Sequence, residues 1–172
     1  KEKERNVKVP NISYMGCYNV AETINVVFND FRIDYGLGGL HGAKRGFVKS
    51  NDDYIIVSAD VASMYPNIAI ANRVYPEHLG ESFCDSYEEL YQERKKYQKG
   101  TPDNLSIKLS LNSVYGKSSD KYSPFYDPKY TMSITVNGQM SLTMLMERIC
   151  LECDARLIMC NSDGYEVLLN RN

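Results

Sequence analysis

The sequence lacks several features that would assign it to a familiar class of protein. Its 172 residues include only two histidines, and its five cysteines are an odd number without the spacing of a disulfide framework. No apolar run approaches the length of a membrane span, and the charged opening KEKERNVKVP precedes no apolar stretch. The sequence therefore predicts neither a secreted disulfide-rich protein nor a membrane protein, and a reducing, intracellular setting is expected.

A zinc or redox centre is not indicated by the Cys150-x-x-Cys153 pair. The pair lies within an apolar helical pattern, and no second pair of cysteines accompanies it. We predict a buried structural role for both thiols.

The net charge of −2 also argues against a free-standing nucleic-acid binder, because such proteins are usually basic. The charge is unevenly distributed, however, and one segment would attract an anionic ligand. A solvated helical face would give the same pattern. Between positions 94 and 121 seven basic residues oppose only Asp103 and Asp120: Arg94, Lys95, Lys96, Lys99, Lys108, Lys117 and Lys121.

Three segments have the patterns of strands. Residues 54–59 (YIIVSA) are apolar and β-branched, and predict a buried strand that ends at Asp60. Residues 156–160 and 165–169 are also strand-like, and the Asp-Gly pair in the intervening 161–164 segment is a strong hairpin signal. A small antiparallel sheet is the expected result.

Two helices are predicted to form a hairpin between these strands. Ser86 and Glu89 match a capping box, which predicts a helix that continues to about Lys99. Thr101 and Pro102 resemble an N-cap followed by a first-turn proline, so a second helix begins there. Three further boundaries are predicted: an end to regular structure at Pro66, an end of the second helix near Tyr115 at Gly116, and a third helix over residues 136–153.

Two carboxylates occupy positions suited to metal chemistry. Asp60 follows a predicted strand, and Asp163 lies at a predicted hairpin tip. Hard cations such as Mg²⁺ bind carboxylate oxygens and leave room for phosphate oxygens. Side by side, the two residues would bridge two metal ions about 4 Å apart. Taken singly, each is more typical of an ordinary turn or cap.

The second predicted helix presents a row of polar groups. Lys108, Asn112 and Tyr115 are spaced i, i+4 and i+7, so they share one face. A cation, an amide and an aromatic ring in a row suit a triphosphate, a sugar or base, and a template strand. An exposed helix stripe with Tyr115 partly buried is the alternative.

Three segments in this order resemble the motifs of family B DNA polymerases. DVASMYPNI (60–68) is similar to D-x-x-S-L-Y-P-S-I, KLSLNSVYG (108–116) to K-x-x-x-N-S-x-Y-G, and CNSDGYEV (160–167) to a motif usually written Y-G-D-T-D-S. TPDNLSIKLSLNSVYG and ITVNGQ resemble bacteriophage members. YGLGG (35–39) is similar, with altered spacing, to the Tyr-x-Gly-Gly element that contacts template. The resemblance covers residues 35–169.

Several residue roles are implied by the resemblance. Asp60 and Asp163 would be the catalytic carboxylates, and the Val61 carbonyl a third ligand, of two Mg²⁺ ions that Mn²⁺ can replace. Tyr65 would lie under the incoming sugar and exclude a 2′-hydroxyl group. Nucleotide contacts are implied for Ser63, Met64, Arg94, Lys99, Lys108 and Asn112, and DNA contacts for Tyr35, Gly38, Gly39, Tyr115 and Gly116.

The resemblance also implies the fold and its divisions. The fold would be an α+β polymerase palm, a small antiparallel sheet backed by helices, with a short helical-hairpin fingers insertion. We predict a lead-in over 1–34, palm over 35–80, fingers over 81–116 and palm again over 117–172. The exonuclease and thumb regions are absent from this segment and are expected in a longer parent chain.

The implied activity is DNA-templated DNA synthesis, in which a primer 3′-hydroxyl attacks the α-phosphate of a dNTP and pyrophosphate leaves. Primer–template DNA and dNTPs are the expected partners, without a membrane. Bacterial cytoplasm is the expected location for a bacteriophage or prophage protein. Two alternatives stay open: a different palm-type polymerase such as a reverse transcriptase, and a non-catalytic fragment that binds dNTP or DNA. Asn161 favours the second, since it stands where the family has its first Asp.

Overall fold

The computed structural model describes residues 23–171, and within them the chain divides into two compact units. The sheet unit comprises the described residues up to Val61 and those from Gln139 onward. The helical unit comprises Ala62–Gly138. All strands assigned within residues 23–171 belong to the sheet unit, so the expected α+β fold class is confirmed.

The sheet unit is built on six antiparallel strands. Their spatial order is β1-β2-β3-β5-β6-β4, so the last two strands of the chain lie between β3 and β4. The strands are β1 Ile24–Phe28, β2 Phe31–Gly36, β3 Gly39–Ala43, β4 Tyr54–Asp60, β5 Arg156–Asn161 and β6 Gly164–Asn170.

The three predicted strands are present, but β4 is not buried as expected, because it lies at the edge of the sheet and its residues are half-buried or exposed. The ladder between β4 and β6 runs from Tyr54 opposite Asn170 to Asp60 opposite Gly164. Strands β5 and β6 form the predicted hairpin, which closes with Asn161 opposite Gly164. Both the β4 end and the hairpin tip therefore lie at one edge of the sheet.

Strands β1 to β3 form a meander within the region that the sequence assigned to a lead-in and a template-contact loop. The first hairpin turns at Asn29 and Asp30, with φ angles of 47° and 60°. Two consecutive positive φ angles are the geometry of a type I′ turn, which suits the twist of paired strands. Residues 1–22 of the predicted lead-in lie outside the described residues.

The core of the sheet unit combines strand residues with one face of a helix. Leu142, Met146 and Cys150 are spaced four residues apart on helix α4 (Pro128–Glu152), and all are buried. Buried strand residues complete it: Phe31, Ile33, Leu40, Leu157, Cys160, Tyr165 and Val167.

The helical unit has its own apolar core, made by helices α1 to α3 and the start of α4. Tyr87 is buried there, and its hydroxyl donates a hydrogen bond of 2.5 Å to the Leu111 carbonyl. Burial raises the pKa of Tyr87 above its ordinary range, so the hydroxyl remains a donor. The elements are α1 Met64–Ala71, a 3-10 helix Glu77–Leu79, α2 Ser82–Lys95 and α3 Pro102–Lys117, with core residues Ala69, Tyr87, Leu111, Val114, Tyr130 and Ile134.

Helix α2 differs from the predicted first fingers helix at both its start and its end. It begins at Ser82, four residues before Ser86, and its N-cap Glu81 makes no side-chain cap hydrogen bond. The capping-box interpretation of Ser86 and Glu89 is therefore wrong. The helix ends at Lys95, so Lys99 lies beyond it rather than on it.

Three other helix boundaries differ from prediction. Pro66 lies within the first turn of α1 instead of ending regular structure, because proline lacks only an N–H that has no helical partner there. Helix α3 starts at the predicted proline but continues through Gly116 to Lys117. Helix α4 starts at Pro128, eight residues before the predicted 136.

The cysteine prediction is half right. Cys150 is buried, but Cys153 is exposed, because the helix ends at Glu152 and turns the later residue to solvent. Within residues 23–171, no helix combines the length and apolar character needed to cross a membrane.

Candidate functional site

The sheet unit brings Asp60 and Asp163 together at one edge. Asp60 is the last residue of β4 and lies opposite Gly164, the neighbour of Asp163. The Val61 N–H then donates a hydrogen bond of 2.8 Å to the Asp163 carbonyl, which fixes the backbone after β4 against the hairpin turn. Two carboxylates from distant parts of the sequence thus become neighbours.

These carboxylates have the chemistry expected of a hard-cation site. Both are exposed, and among residues 23–171 neither has an ion-pair or hydrogen-bond partner for its side chain. Unneutralised carboxylate oxygens on neighbouring backbone segments suit Mg²⁺, which is commonly held by one or two carboxylates with water and substrate phosphates. The same residues contain no group of three or more His, Cys, Asp or Glu that would hold a metal alone. The donor set therefore fits a cation shared with a substrate, and the Val61 carbonyl stays a predicted ligand.

Gly164 provides the space for the Asp60 side chain. An ideal Cβ on Gly164 would collide with the Asp60 carboxylate and lie 2.8 Å from the Ala59 carbonyl. A side chain at position 164 is thus incompatible with the observed position of Asp60. Sequence reasoning recognised Gly164 only as a turn residue.

Asn161 has a local role in the turn. Its side-chain Oδ1 accepts a hydrogen bond of 2.8 Å from the Ser162 N–H. Asparagine here keeps the acceptor that an aspartate would supply, but it lacks the negative charge. The turn therefore carries one carboxylate, that of Asp163.

The predicted template-contact element is the turn between β2 and β3, and it lies against the hairpin that carries Asp163. Gly36 and Gly39 are register partners at the two ends of this β2–β3 turn. An ideal Cβ on Gly39 would lie 2.7 Å from Ser162 Oγ and 2.9 Å from Ser162 Cβ. Gly39 also has a φ of 143°, which favours glycine. Gly38 is exposed at the tip, with open space around it.

Helix α4 holds this turn through two residues that the sequence did not single out. Gln139 Nε2 donates hydrogen bonds of 2.6 Å to the Gly36 carbonyl and 2.9 Å to the Gly39 carbonyl. Thr143 Oγ1 lies 2.8 Å from the Tyr35 hydroxyl. The ITVNGQ resemblance contained Gln139, but it gave no reason to choose that residue.

In the helical unit, Ser63 and Arg94 form a defined contact. Ser63 is the N-cap of α1 and has φ 48° and ψ 49°, a left-handed conformation that is uncommon for serine. Arg94 Nη1 donates a hydrogen bond of 2.8 Å to Ser63 Oγ. The Arg94 Nε atom is buried and has no partner among residues 23–171. Donor capacity therefore remains beside the strained turn.

Tyr65 and Tyr115 form an aromatic pair in the same unit. Their ring centroids are 4.2 Å apart at an interplanar angle of 34°. The Tyr115 hydroxyl lies 2.8 Å from Thr135 Oγ1, which orients the ring from the helix α4 side. Met64 is buried, so only its backbone is available for a ligand contact.

Lys108 and Asn112 on α3 are exposed, whereas Tyr115 is half-buried against the core of the helical unit, as the exposed-stripe alternative expects. Gly116 is also exposed, with nothing within 4 Å of an added Cβ, so no close backbone approach occurs there within the described residues. Lys99 is exposed beyond the end of α2. Among residues 23–171, the side chains of Lys99 and Lys108 make no ion pair and no hydrogen bond.

The local positive charge of the helical unit is partly neutralised. Lys96 pairs with Glu93, and Lys117 with Asp120 at 3.3 Å. The ammonium group of Lys95 lies over the Tyr91 ring, and that of Lys121 lies over the Tyr122 ring. Lys99, Lys108 and Arg94 are thus the members of the basic segment that remain best placed to meet an anion.

Comparison with known proteins gives one kind of match. No protein-family model and no curated protein matches this chain. Among solved structures, a family B DNA polymerase from the hyperthermophilic archaeon Pyrobaculum calidifontis matches with a TM-score of 0.46 and 16% identity. That structural neighbour is a family B DNA polymerase. The match covers 73% of this chain and 24% of the archaeal chain, so this chain spans about a quarter of its neighbour.

Proposed function

We propose that this chain is the palm and fingers portion of a DNA-templated DNA polymerase resembling family B, and in particular its bacteriophage members. The β4–β6 pairing supports the proposal, since it places Asp60 and Asp163 side by side without a neutralising partner among the described residues. Two exposed, unneutralised carboxylates lower the stability of the fold through mutual repulsion, and a bound cation would offset that repulsion. The pair is therefore consistent with a cation site. Its DNA and nucleotide substrates imply an intracellular setting.

The chemistry follows from what each group can do. Bound Mg²⁺ ions, or Mn²⁺ in their place, would lower the pKa of the primer 3′-hydroxyl and neutralise charge on the departing pyrophosphate. Asp60 and Asp163 would hold these ions, with the Val61 carbonyl as a further ligand. The Val61 N–H bond to the Asp163 carbonyl keeps the two supporting backbones together, so the carboxylates are pre-positioned.

The helical unit would bind the nucleotide. Arg94 and Lys108 would donate charge-assisted hydrogen bonds to the triphosphate. Such donors stabilise the negative charge on phosphate groups during transfer. Tyr65, oriented by its contact with Tyr115, would lie under the sugar. The other assignments are carried by the resemblance: Ser63, Met64, Lys99 and Asn112 to the nucleotide, and Tyr35, Gly38, Gly39, Tyr115 and Gly116 to DNA.

A non-catalytic nucleotide- or DNA-binding role is the second candidate, and Asn161 is the observation that favours it. Its amide replaces a carboxylate in the turn, and its oxygen is occupied by the Ser162 N–H. Fewer negative charges lower the affinity for a divalent cation. Such a chain would still bind dNTP through Arg94 and Lys108.

Primer extension by the parent polypeptide tests the proposal. With Mg²⁺ or Mn²⁺ present, Asp60→Asn and Asp163→Asn are each expected to lower extension by more than the roughly 100-fold typical of losing an outer contact of a metal site. Asp52→Asn is the matched control, because Asp52 is exposed in the sheet unit and lies apart from the carboxylate pair in the sequence. Extension by both site variants at the wild-type rate would refute the two-carboxylate assignment.

The substitution Asn161→Asp separates the two candidates. It keeps the oxygen that accepts from the Ser162 N–H and adds a negative charge. If the parent already extends primers, the change is expected to alter metal affinity with extension retained. If wild type binds dNTP but extends nothing, and Asn161→Asp gains extension, the non-catalytic role describes the natural sequence.

A further inference from the structure

Gln139 closes the β2–β3 turn from outside. Its side-chain amide has two N–H donors, and both are used, at 2.6 Å on the Gly36 carbonyl and 2.9 Å on the Gly39 carbonyl. Gly36 and Gly39 pair across the end of the ladder. One side chain therefore holds both ends of the turn at a fixed separation.

Thr143 adds a second attachment one helical turn later. Its hydroxyl donates a hydrogen bond of 2.7 Å to the Gln139 carbonyl. Since a hydroxyl has a single hydrogen, Thr143 Oγ1 accepts the bond of 2.8 Å from the Tyr35 hydroxyl. Helix α4 thus fixes the Tyr35 side chain and the turn that follows it.

The held turn lies directly against the turn that carries Asp163. Ser162 occupies the space that a Gly39 side chain would need, with Ser162 Cα 3.1 Å from an ideal Cβ. The next residue, Asp163, accepts the Val61 N–H through its carbonyl. A shift of Gly39 is therefore transmitted through Ser162 to the backbone of the carboxylate pair.

We propose that Gln139 is a positioning residue for the Asp60–Asp163 pair and acts through the β2–β3 turn and Ser162. The inference rests on the proposed function, because it assigns Gln139 to the same carboxylate site. Because the β2–β3 turn is held at both ends, Gly39 restricts Ser162 to one position, and the neighbouring Asp163 is restricted with it. Outer partners of a metal site typically change its affinity about 10- to 100-fold.

The positioning role of the Gln139 hydrogen bonds can be tested separately from the packing of its side chain. Gln139 is half-buried beside an open groove of about 270 Å³, lined by residues that include Tyr35, Met140 and Met144. Gln139→Met keeps the length and volume of the side chain and removes both donors. The replacement therefore leaves no cavity beside the groove. The fold is therefore expected to persist while the turn loosens.

Mn²⁺ binding by the complete 172-residue chain with a dNTP present provides the test, and the enhancement of water-proton relaxation measures the Mn²⁺ that is bound to the protein. Wild type is expected to bind Mn²⁺, Asp60→Asn to lose binding, and Gln139→Met to bind about tenfold more weakly while it stays folded, as a single cooperative melting transition above the assay temperature would show. Gln92→Met is the matched control, since Gln92 is exposed on α2 and belongs to the helical unit. Hydrogen–deuterium exchange of the metal-free protein should be faster at residues 36–39 and 161–164 in Gln139→Met.

Each outcome has one meaning. Wild-type Mn²⁺ affinity in Gln139→Met, or unchanged exchange at residues 161–164, overturns the positioning role and leaves the carboxylate site standing. Absent Mn²⁺ binding in wild type, or equal binding in Asp60→Asn, overturns the proposed function and this inference together. If Gln139→Met fails to fold, Gln139→Glu replaces it, because its ionised carboxylate has the same shape and no donor. The same two readouts then decide.

Discussion

The Asp60 carboxylate occupies the space in which a side chain on Gly164 would stand, directly across the β4–β6 ladder. Asp60 would have to rotate to admit a methyl group there. The Ala59 carbonyl, 2.8 Å from the same point, belongs to the backbone and moves only with the strand. The end of β4 and the start of β6 are therefore built around a residue without a side chain.

Gly164→Ala is expected to weaken Mn²⁺ binding at least about tenfold, because both Asp60 and the end of β4 must shift. Calorimetric titration of the metal-free chain, with a dNTP present throughout, measures the effect. Gly116→Ala makes the same chemical change at a position with nothing within 4 Å, and should bind Mn²⁺ as wild type does. Unaltered affinity in Gly164→Ala would mean that the observed Asp60 position is not the one that binds metal.

Arg94 should matter more for triphosphate binding than Lys99 does. Arg94 is half-buried and already oriented by Ser63, whereas Lys99 is exposed beyond the end of α2. Arg94→Lys keeps the charge but loses the planar fork of donors, and is expected to raise the KM for dNTP by about tenfold or more. Lys99→Ala should change it by less, although the charge is lost. A larger effect at Lys99 would contradict this ranking.

Tyr65 should determine sugar selection, and Tyr65→Phe, which keeps the aromatic ring, is the matched control. Tyr65→Val opens space under the sugar and is expected to raise ribonucleotide incorporation relative to deoxyribonucleotide. It also removes the ring contact with Tyr115, worth about 0.5–1.5 kcal/mol of stability. Tyr65→Phe keeps both the ring contact and the bulk. The ratio of kcat/KM values for the two sugars measures selection, and an unchanged ratio in Tyr65→Val would exclude the assigned role.

Cys160 and Cys153 should differ sharply in reactivity. Burial raises the pKa of Cys160 to about 11, whereas Cys153 is exposed at the end of α4. In a Cys17→Ser background, iodoacetamide at pH 8 should label Cys153 and spare Cys160, as mass spectrometry of tryptic peptides would show. Equal labelling would contradict the buried position of Cys160.

The raised pKa of Cys160 also affects stability. The folded state keeps this proton up to about pH 11, while the unfolded chain loses it from about pH 9. The contribution of Cys160 to folding stability is therefore complete below pH 9 and is lost as the pH rises towards 11. Cys160→Ala should flatten the pH dependence of unfolding in this window.

Elements with local signals were predicted well. The YIIVSA strand, the Thr101–Pro102 helix start and the hairpin at 161–164 depend on residues a few positions apart, and all three were found. The turn of that hairpin is Ser162-Asp163 and not the predicted Asp-Gly pair, because Gly164 begins β6. The first meander was missed, although Asn29-Asp30 between apolar runs is itself a hairpin signal. The start of α2 was misjudged because Ser82 begins the helix without a side-chain cap.

The sequence by itself determined the chemical groups of the candidate site and the short elements that carry them, since both are matters of residue type and near neighbours. Asp60 at a strand end and Asp163 at a hairpin tip needed no coordinates. Only the tertiary structure decided that Gly39 lies against Ser162 and that Gln139 holds the β2–β3 turn. Both contacts join residues about a hundred positions apart. The Gly39–Ser162 contact arises because the β5–β6 hairpin lies between β3 and β4, a strand order that no local pattern specifies.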